Sequence, residues 1–327
     1  MRTAVTGSIA TDHLLTFPGT FTDQLLADRL DRVSLSFLAD RLEVRRGGVA
    51  ANICYGLGLL GLRPVLVGAA GSDFEPYRLH LKEHGIDTDS VHISEHLHTA
   101  RFVCTTDRDQ NQIATFYAGA MAEARTIDLR RVITRVGRLD LVVISPDDPQ
   151  AMIRHTEACR DMNVPFAADP SQQLARLERD EVRRLLEGAR WLFSNEYEAA
   201  LLRERSGWTT RQILDRVGCW ITTLGASGVR LQRKDQPDIE VPAVPVEGVV
   251  DPTGVGDAFR AGFVAAMSWK LPYEVAAQFG CAIAATVLDY VGTQEYRLYR
   301  ESILARVRTA YGVSTAAQLV PHLRELP

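Results

Sequence analysis

The sequence predicts an α/β protein built around a mostly parallel sheet. Short apolar runs that end in Gly, Asp or Asn recur along its 327 residues, and a stretch with helical character follows each of them. Several runs are apolar at consecutive positions, which indicates strands buried on both faces with helices on either side. Two segments with alternating patterns interrupt this rhythm and predict a small additional β-structure.

The predicted strands and helices alternate along the chain, as expected for β-α units. The clearest strands are predicted at residues 4–7, 65–68, 141–145, 166–169, 191–194 and 220–224. Helices are predicted at residues 50–60, 148–160, 180–188, 196–204, 254–268 and 273–290. Asp148, Asp180 and Glu196 stand where a helix cap or a first-turn acid is favoured.

The two segments that break the β-α rhythm are residues 17–44 and 100–117. The first contains the alternating run Ser34-Leu35-Ser36-Phe37-Leu38, and the second alternates through Phe102, Cys104 and Thr106. Strict alternation is typical of a strand with one buried face. Both segments are therefore interpreted as strands outside the main sheet.

We expect these outer strands to form a β lid, made roughly by residues 12–46 and 98–118. Such a lid would cover the carboxyl ends of the parallel strands, where α/β proteins bind their ligands. Its closure would exclude water and complete the site. Neither an internal repeat nor a Pro/Ser-rich linker is found, so a single domain over residues 1–327 is expected.

Composition and charge restrict the function classes. The chain is 46% hydrophobic and 24% charged, and its formal net charge of −4 gives no global positive field for nucleic acid or an anionic membrane surface. No apolar run approaches the roughly 18 residues of a membrane span, and the first residues lack a secretion signal. Five widely spaced cysteines read as buried free thiols, so a cytoplasmic protein is expected.

The strongest functional signal is the segment Asp-Pro-Thr-Gly-Val-Gly-Asp at residues 251–257, which precedes an apolar, Ala-rich helix. Glycines at a helix start let the backbone approach a ligand and leave several N–H groups pointing at one spot, where an anion binds. Asp257 beside that spot can accept the proton of an attacking hydroxyl. The structural alternative is a glycine-rich turn with Asp257 as a simple cap.

Taken whole, this segment and its helix resemble the ribokinase or PfkB family of carbohydrate and nucleoside kinases. The resemblance implies a three-layer α/β sandwich with a small β lid, and phosphoryl transfer from ATP with Mg²⁺. It implies Asp257 as the catalytic base, with Gly254, Val255 and Gly256 as the anion hole. Pro252 departs from the Thr common at this position, but the chemistry does not need that side chain.

A second segment typical of the family is Arg-Gly-Gly-Val-Ala-Ala-Asn at residues 46–52. Its glycines permit close backbone approach to a polar ligand, and Asn52 offers both a donor and an acceptor. Near the first strand, Asp12 can accept hydrogen bonds from two vicinal hydroxyls. The resemblance implies that Ser8, Asp12, Gly48 and Asn52 hold the acceptor sugar. Taken singly, Asp12 can also be explained as a turn-forming side chain.

Two further segments resemble the family's nucleotide and ion sites. The Asn-x-x-Glu pattern is weak by itself, because Asn can cap a helix and Glu can close a capping box. The resemblance implies that Asn195 and Glu198 organise Mg²⁺, partly through water. It also implies a candidate K⁺ site at Asp251 and Thr253. The implied neighbours of ATP are Asn195, Thr223, Leu224, Gly225, Ala226, Ser227, Gly228 and Gly256.

Within the family, the resemblance is closest to the adenosine kinases of mycobacteria and related actinobacteria. It is carried by residues 6–14, 98–102, 168–174 and 251–257. It implies that Phe102 and Phe116 flank the purine, that Gln172 and Gln173 contact the nucleoside, and that Ser36 reaches the site from the lid or from a partner subunit. Aromatic residues on lid strands also pack a lid or a dimer interface without any ligand.

The implied reaction is transfer of the γ-phosphoryl group of ATP to the 5′-hydroxyl of adenosine, giving AMP for purine salvage. The expected partners are adenosine, ATP and a second copy of the chain that docks through the lid. A kinase for ribose, fructose, inosine or guanosine is the alternative enzyme, and a catalytically silent nucleotide-binding protein is the alternative class. An NAD-dependent oxidoreductase is disfavoured, because the first strand lacks the Gly-x-Gly-x-x-Gly fingerprint.

Overall fold

The fold was analysed in a computed structural model that describes residues 1–24 and 35–327. The strands in these ranges are β1 (Thr3–Thr6), β2 (Ala10–Thr16), β3 (Arg41–Gly47), β4 (Val65–Ala70), β5 (Asp87–Ile93), β6 (Ala100–Thr106), β7 (Gln112–Tyr117), β8 (Leu141–Ile144), β9 (Phe166–Ala168), β10 (Trp191–Asn195), β11 (Cys219–Thr223), β12 (Val229–Gln232) and β13 (Ile239–Val241). The α-helices are α1 (Val49–Leu59), α2 (Glu75–Glu83), α3 (Leu129–Val136), α4 (Pro149–Asp161), α5 (Arg179–Leu186), α6 (Glu196–Ser206), α7 (Thr210–Leu214), α8 (Val255–Ser268), α9 (Tyr273–Val287), α10 (Arg300–Tyr311) and α11 (Val313–Leu319).

The main sheet has nine strands in the order β13-β12-β11-β10-β9-β8-β1-β4-β5. Its strands are parallel except β12 and β13, which pair antiparallel at one edge. Successive side chains enter opposite cores: Val5 and Phe193 pack on the side of α1, α8 and α9, whereas Ala4 and Leu192 pack on the side of α4 and α5. This arrangement of one sheet between two helical layers confirms the predicted α/β sandwich.

A separate four-stranded sheet in the order β3-β2-β6-β7 forms the predicted lid. Strand β2 follows β1 after only three residues, so the lid starts at the carboxyl end of a central strand. The register pairs Asp12 with Phe102 and Phe102 with Phe116, which places these three side chains on one face. Leu42 and Val44 alternate with that set and lie on the opposite face.

The predicted elements recur with small shifts of their ends, and one lid segment is corrected. Within the run predicted as a strand, Ser34 lies outside the described residues, and residues 35–39 carry no regular structure. Phe37 instead packs against Phe17 and Phe21, with ring centroids 5.0 and 4.9 Å apart. The lid strand lies a few residues later, at β3, because aromatic packing rather than strand pairing holds Phe37.

The five cysteines Cys54, Cys104, Cys159, Cys219 and Cys281 are all buried and free, as the sequence predicted. Burial raises the pKa of the Cys159 and Cys219 thiols to about 12, so neither is a reactive thiolate near neutral pH. Over residues 1–24 and 35–327, no helix has both the length and the apolar character needed to cross a membrane.

Candidate active site

One cavity of about 460 Å³ lies between the lid and the carboxyl ends of β1, β8 and β9. It is lined by Ser8, Ala10, Asp12, Gly47, Gly48, Val49, Asn52, Phe102, Phe116, Met121, Pro146, Gln172, Gln173, Arg176, Thr253, Gly254, Asp257 and Thr293. Among the residues predicted to contact the acceptor, Ser36 alone is outside this lining, and its side chain is exposed. The fold therefore brings both predicted segments to one cavity.

Helix α8 points its N-terminus into this cavity. Gly254 is the N-cap in the left-handed region with φ 79°, and a Cβ there would lie 2.9 Å from Thr293 Cγ2. Glycine is therefore required both by the backbone and by the close approach of Thr293. The first N–H groups of a helix have no acceptor within it and carry its positive dipole end. This terminus can hold an anion such as a phosphoryl group.

Asp257 is the third residue of α8 and faces the same cavity. Its Oδ2 accepts a hydrogen bond from Asn52 Nδ2 at 2.8 Å. Burial raises the pKa of Asp257 to about 6, although the Arg260 guanidinium and the Asn52 hydrogen bond act in the opposite direction. A carboxylate with a pKa close to neutrality suits a group that must take up a proton and release it.

A buried ion pair supports the helix terminus from below. Arg260 donates to Asp169 Oδ1 through Nη2 at 2.6 Å, and its Nε lies 2.5 Å from Asp169 Oδ2 within the same ion pair. Its Nη1 donates to Gly256 O at 3.0 Å. A guanidinium that bridges the turn carbonyl and a carboxylate fixes the first turn of α8. Its positive charge also opposes protonation of Asp257. Asp169 and Arg260 are far apart in the sequence, and no motif predicts that they form a pair.

The opposite wall is the Gly47-Gly48 turn with Ser8 and Asp12. Gly48 has φ 94°, and a Cβ there would lie 2.6 Å from Ser8 O, so the turn requires glycine. Val49 N–H donates to Ser8 Oγ at 3.0 Å. Burial raises the pKa of Asp12 to about 6, with Arg45 opposing this rise and Asp251 adding to it. This wall offers hydroxyl and carboxylate oxygens to a polyol.

The lid contributes an aromatic pair, and the loop after β9 contributes two carboxamides. Phe102 and Phe116 are direct cross-strand partners and both line the cavity. Gln173 is buried, whereas Gln172 is exposed at the cavity rim. Sequence reasoning missed Met121, Pro146, Arg176 and Thr293 in the lining. These isolated residues follow strands or loops without any motif that would single them out.

The Asn-x-x-Glu residues form a reciprocal capping box at the start of α6. Glu198 N–H donates to Asn195 Oδ1 at 2.8 Å, and Asn195 N–H donates to Glu198 Oε2 at 2.8 Å. Ser171 Oγ donates to Glu198 Oε1 at 2.9 Å. The described residues contain no cluster of three or more potential metal ligands. A single fixed carboxylate fits Mg²⁺ that keeps most of its waters.

The predicted nucleotide turn lies at the carboxyl end of β11, apart from the first cavity. Residues 225–227 form one 3₁₀ turn. Gly228 has φ 99°, and a Cβ at this position would lie 2.0 Å from Val241 O. The turn therefore presses directly on the neighbouring edge strand. Leu224 and Ser227 line a second cavity of about 430 Å³, with Glu196 from the start of α6. Gly225, Ala226 and Ser227 are exposed at this turn.

The candidate K⁺ site fits a monovalent cation poorly. Asp251 accepts the N–H groups of Thr253 and Gly292, each at 2.9 Å, and its Oδ2 lies 3.6 Å from Arg45 Nη1. Burial opposes ionisation of Asp251, but the hydrogen bonds and Arg45 outweigh it and lower its pKa. The guanidinium already supplies a positive charge beside this carboxylate, so an added cation would be repelled.

Comparisons with known proteins agree with this geometry. The family model "pfkB family carbohydrate kinase" matches residues 16–298. A nucleoside kinase of Methanocaldococcus jannaschii is 30% identical over 250 residues, which is 76% of this chain and 80% of that protein. Its crystal structure has a TM-score of 0.82 at 25% identity and covers 94% of this chain and 99% of its own.

A solved nucleoside kinase of Burkholderia thailandensis in complex with inosine has a TM-score of 0.81 and 33% identity, over 95% of this chain and 98% of that one. Another structure of that enzyme contains ADP and inosine. These relatives are nucleoside kinases, and their names do not specify adenosine. The family match, the shared fold and the glycine-lined helix terminus beside Asp257 together show that this chain belongs to the pfkB family of carbohydrate kinases.

Proposed function

We propose that this chain is an adenosine kinase of purine salvage, which transfers the γ-phosphoryl group of ATP to the 5′-hydroxyl of adenosine. One observation carries the proposal: the N-terminus of α8 with Asp257 opens into the same cavity as the aromatic pair Phe102 and Phe116. A free sugar needs hydroxyl-binding groups, whereas a nucleoside also needs flat apolar surfaces for its base. The cavity offers both.

The proposed step is an in-line displacement at the γ-phosphorus. The 5′-oxygen of the nucleoside forms the new P–O bond while the bond to the β,γ-bridging oxygen breaks, and the products are AMP and ADP. Asp257 accepts the hydroxyl proton late, and N–H groups of Gly254, Val255 and Gly256 stabilise the charge on the phosphoryl oxygens. Asp12, Ser8 and the Gly48 turn position the ribose, as required for such a loose transition state.

We assign the nucleotide to the turn at residues 223–228, with its terminal phosphate directed to Gly256. Asn195 and Glu198 would hold Mg²⁺ through its water ligands, and the bound ion would neutralise charge on the phosphates. Glu198 is suited to this role because Ser171 and the Asn195 N–H fix both of its oxygens. Leu224, Gly225, Ala226 and Ser227 would flank the adenosine part of ATP.

A panel of acceptors tests the proposal. ADP release with Mg·ATP is followed by a coupled assay for adenosine, inosine, guanosine, ribose and fructose, and kcat/KM is compared. The highest value for adenosine is expected. A preference for ribose or fructose would assign a sugar kinase, and ATP binding without turnover on any acceptor would assign a silent nucleotide-binding protein.

Inosine is the second candidate acceptor, because a similar kinase from Burkholderia thailandensis has been solved with inosine bound. The carboxamides of Gln172 and Gln173 can each donate and accept, so they match the edge of either purine. A higher kcat/KM for inosine than for adenosine in the same panel would replace adenosine as the acceptor and leave the kinase chemistry intact.

We also propose that the outer face of the lid forms a homodimer. Leu42 and Val44 are each 58% exposed on that face, and Ile113 on β7 is 46% exposed. An apolar sheet face of this kind is typical of a protein interface. Ser36, which lies outside the cavity of its own chain, would then be placed to reach the cavity of the partner.

A further inference from the structure

The amide of Asn52 is part of a buried chain of hydrogen bonds that the proposed reaction does not explain. Its Nδ2 donates to Asp257, while its Oδ1 accepts from Gln294 Nε2 at 2.8 Å. The same Gln294 Nε2 also donates to the hydroxyl oxygen of Tyr77. Tyr77 in turn donates to Gly47 O at 2.9 Å. The chain therefore links the glycine turn of the cavity to Asp257.

The polarity of this chain has only one consistent direction. Tyr77 is buried, and burial raises its pKa above the usual range, so the phenol keeps its proton. That proton is donated to Gly47 O, which leaves the phenol oxygen as an acceptor only. Gln294 must therefore present its N–H₂ group to Tyr77. The same group then faces Asn52 Oδ1, and the Asn52 N–H₂ group is left for Asp257.

The second donor near Asn52 cannot replace Gln294. Thr293 Oγ1 lies 2.9 Å from Asn52 Oδ1 and 2.9 Å from Arg46 O, but a hydroxyl has a single proton to donate. Gln294 has two N–H groups and meets two acceptors. The Gln294 Oε1 has no hydrogen-bond partner among the residues that the structure describes. This unpartnered oxygen is the energetic cost of directing the N–H₂ group toward Asn52 and Tyr77.

We propose that Gln294 is a positioning residue that holds the Asn52 amide with its N–H₂ group toward Asp257, and so keeps this carboxylate ionised. The inference rests on the proposed role of Asp257 as the base. Were the Asn52 amide to turn over, its oxygen would face Asp257 Oδ2 at hydrogen-bond distance. That contact is repulsive unless Asp257 binds a proton, and a protonated Asp257 cannot accept one from the substrate.

Other charged and titratable groups also face Asp257 and set the background of any pH effect. Arg260 on the same helix favours the ionised form, and Asp169 disfavours it. The Tyr296 hydroxyl lies close by on the segment after α9, and Asp12 faces Asp257 across the cavity. None of these groups belongs to the Gln294 chain. A change at Gln294 therefore isolates the contribution of the Asn52 amide.

The test is the pH dependence of kcat/KM for the Gln294→Met variant and its parent. We expect the midpoint of the acidic limb to rise by about one pH unit, so that kcat/KM falls up to about tenfold on the acidic side and recovers above the new midpoint. Gln278→Met is the matched control, because Gln278 is a buried glutamine of α9 with an unpartnered Oε1 among the described residues. Its profile should match that of the parent.

Tyr77→Phe provides a second, independent test that keeps the aromatic packing. It removes the acceptor that orients Gln294, so the midpoint of the acidic limb of kcat/KM should also rise. This variant decides the question if Gln294→Met does not fold. Profiles that superimpose on the parent would overturn the inference. Asp257→Asn is measured alongside, and near-normal turnover of this variant would refute the proposed function. If Asp257→Asn is inactive but the pH profiles of Gln294→Met and Tyr77→Phe are unshifted, only the positioning role of Gln294 is refuted.

Discussion

At the scale of single residues, Asp257 carries the chemistry of the proposed reaction. Asp257→Asn should lower kcat by roughly 10² to 10⁴, because the amide keeps the shape but cannot accept the hydroxyl proton. Nucleotide affinity should change little, since the backbone N–H groups remain. Single-turnover kinetics and ATP titration measure the two effects. Asp180→Asn, at an exposed position of α5, is the control, and near-normal turnover of Asp257→Asn would contradict the assignment.

The same substitution should stabilise the fold at neutral pH. Asp257 has a folded pKa of about 6, above its ordinary value, so its ionisation penalises folding above pH 6 and not below pH ~4. Removing the carboxylate removes this penalty at pH 8, and each kcal/mol gained in the free energy of unfolding should raise the Tm by about 2–4 °C. Near pH 4 the Tm should be unchanged. Thermal unfolding at both pH values measures this, and an equal change at both would exclude the titration of Asp257 as the cause.

At the scale of elements, the turn before α8 depends on the conformation of one glycine. Gly254→Ala should destabilise the fold by roughly 1–3 kcal/mol, because an alanine is strained at this left-handed φ and its Cβ would clash with Thr293. The resulting shift of the N–H groups at the start of α8 should lower kcat by about 10²-fold or more. Denaturant unfolding and steady-state kinetics check the two effects. Gly248→Ala is the control, since a Cβ there meets no atom within 4 Å. Equal behaviour of both variants would refute the argument.

The contact between lid strand β3 and the turn at Asp251 leads to a prediction about K⁺. Replacing K⁺ by choline at constant ionic strength should leave kcat/KM unchanged, because Arg45 already supplies the positive charge beside Asp251. Arg45→Gln should lose activity and regain part of it with added K⁺. Arg41→Gln, at the far exposed end of β3, should show neither effect. Loss of parent activity in choline would establish a K⁺ site despite Arg45.

Elements with a strong local signal were predictable, and contacts between distant segments were not. The buried strands β1, β8 and β10 and helix α8 follow from apolar runs and from glycines at helix starts. Gly48, Asn52 and Asp257 could be predicted because they lie within two contiguous motifs. Gln294, Thr293 and the pair Arg260 and Asp169 could not, because only the folded chain brings residues so far apart in sequence together.

At the scale of the whole molecule, the two faces of the lid have different chemistry. Strand alternation directs Asp12 and Phe102 to the cavity and leaves Leu42 and Val44 exposed on the outer face. One sheet can therefore bind substrate on one side and a second copy of the chain on the other. The proposed dimer would couple subunit contact to the geometry of the substrate wall, because the same strands carry both.

This coupling gives the prediction for the assembly. The parent should sediment as a dimer, and the Leu42→Lys/Val44→Lys variant as a monomer, because two charges on an apolar face oppose its burial. The monomer should bind the acceptor with a higher KM if Ser36 of one chain reaches the other cavity. Leu79→Lys, at an exposed position of α2, is the control and should remain dimeric. Sedimentation velocity and acceptor KM are measured together: a monomeric parent would refute the lid dimer, and an unchanged KM in the dissociated variant would refute the role of Ser36.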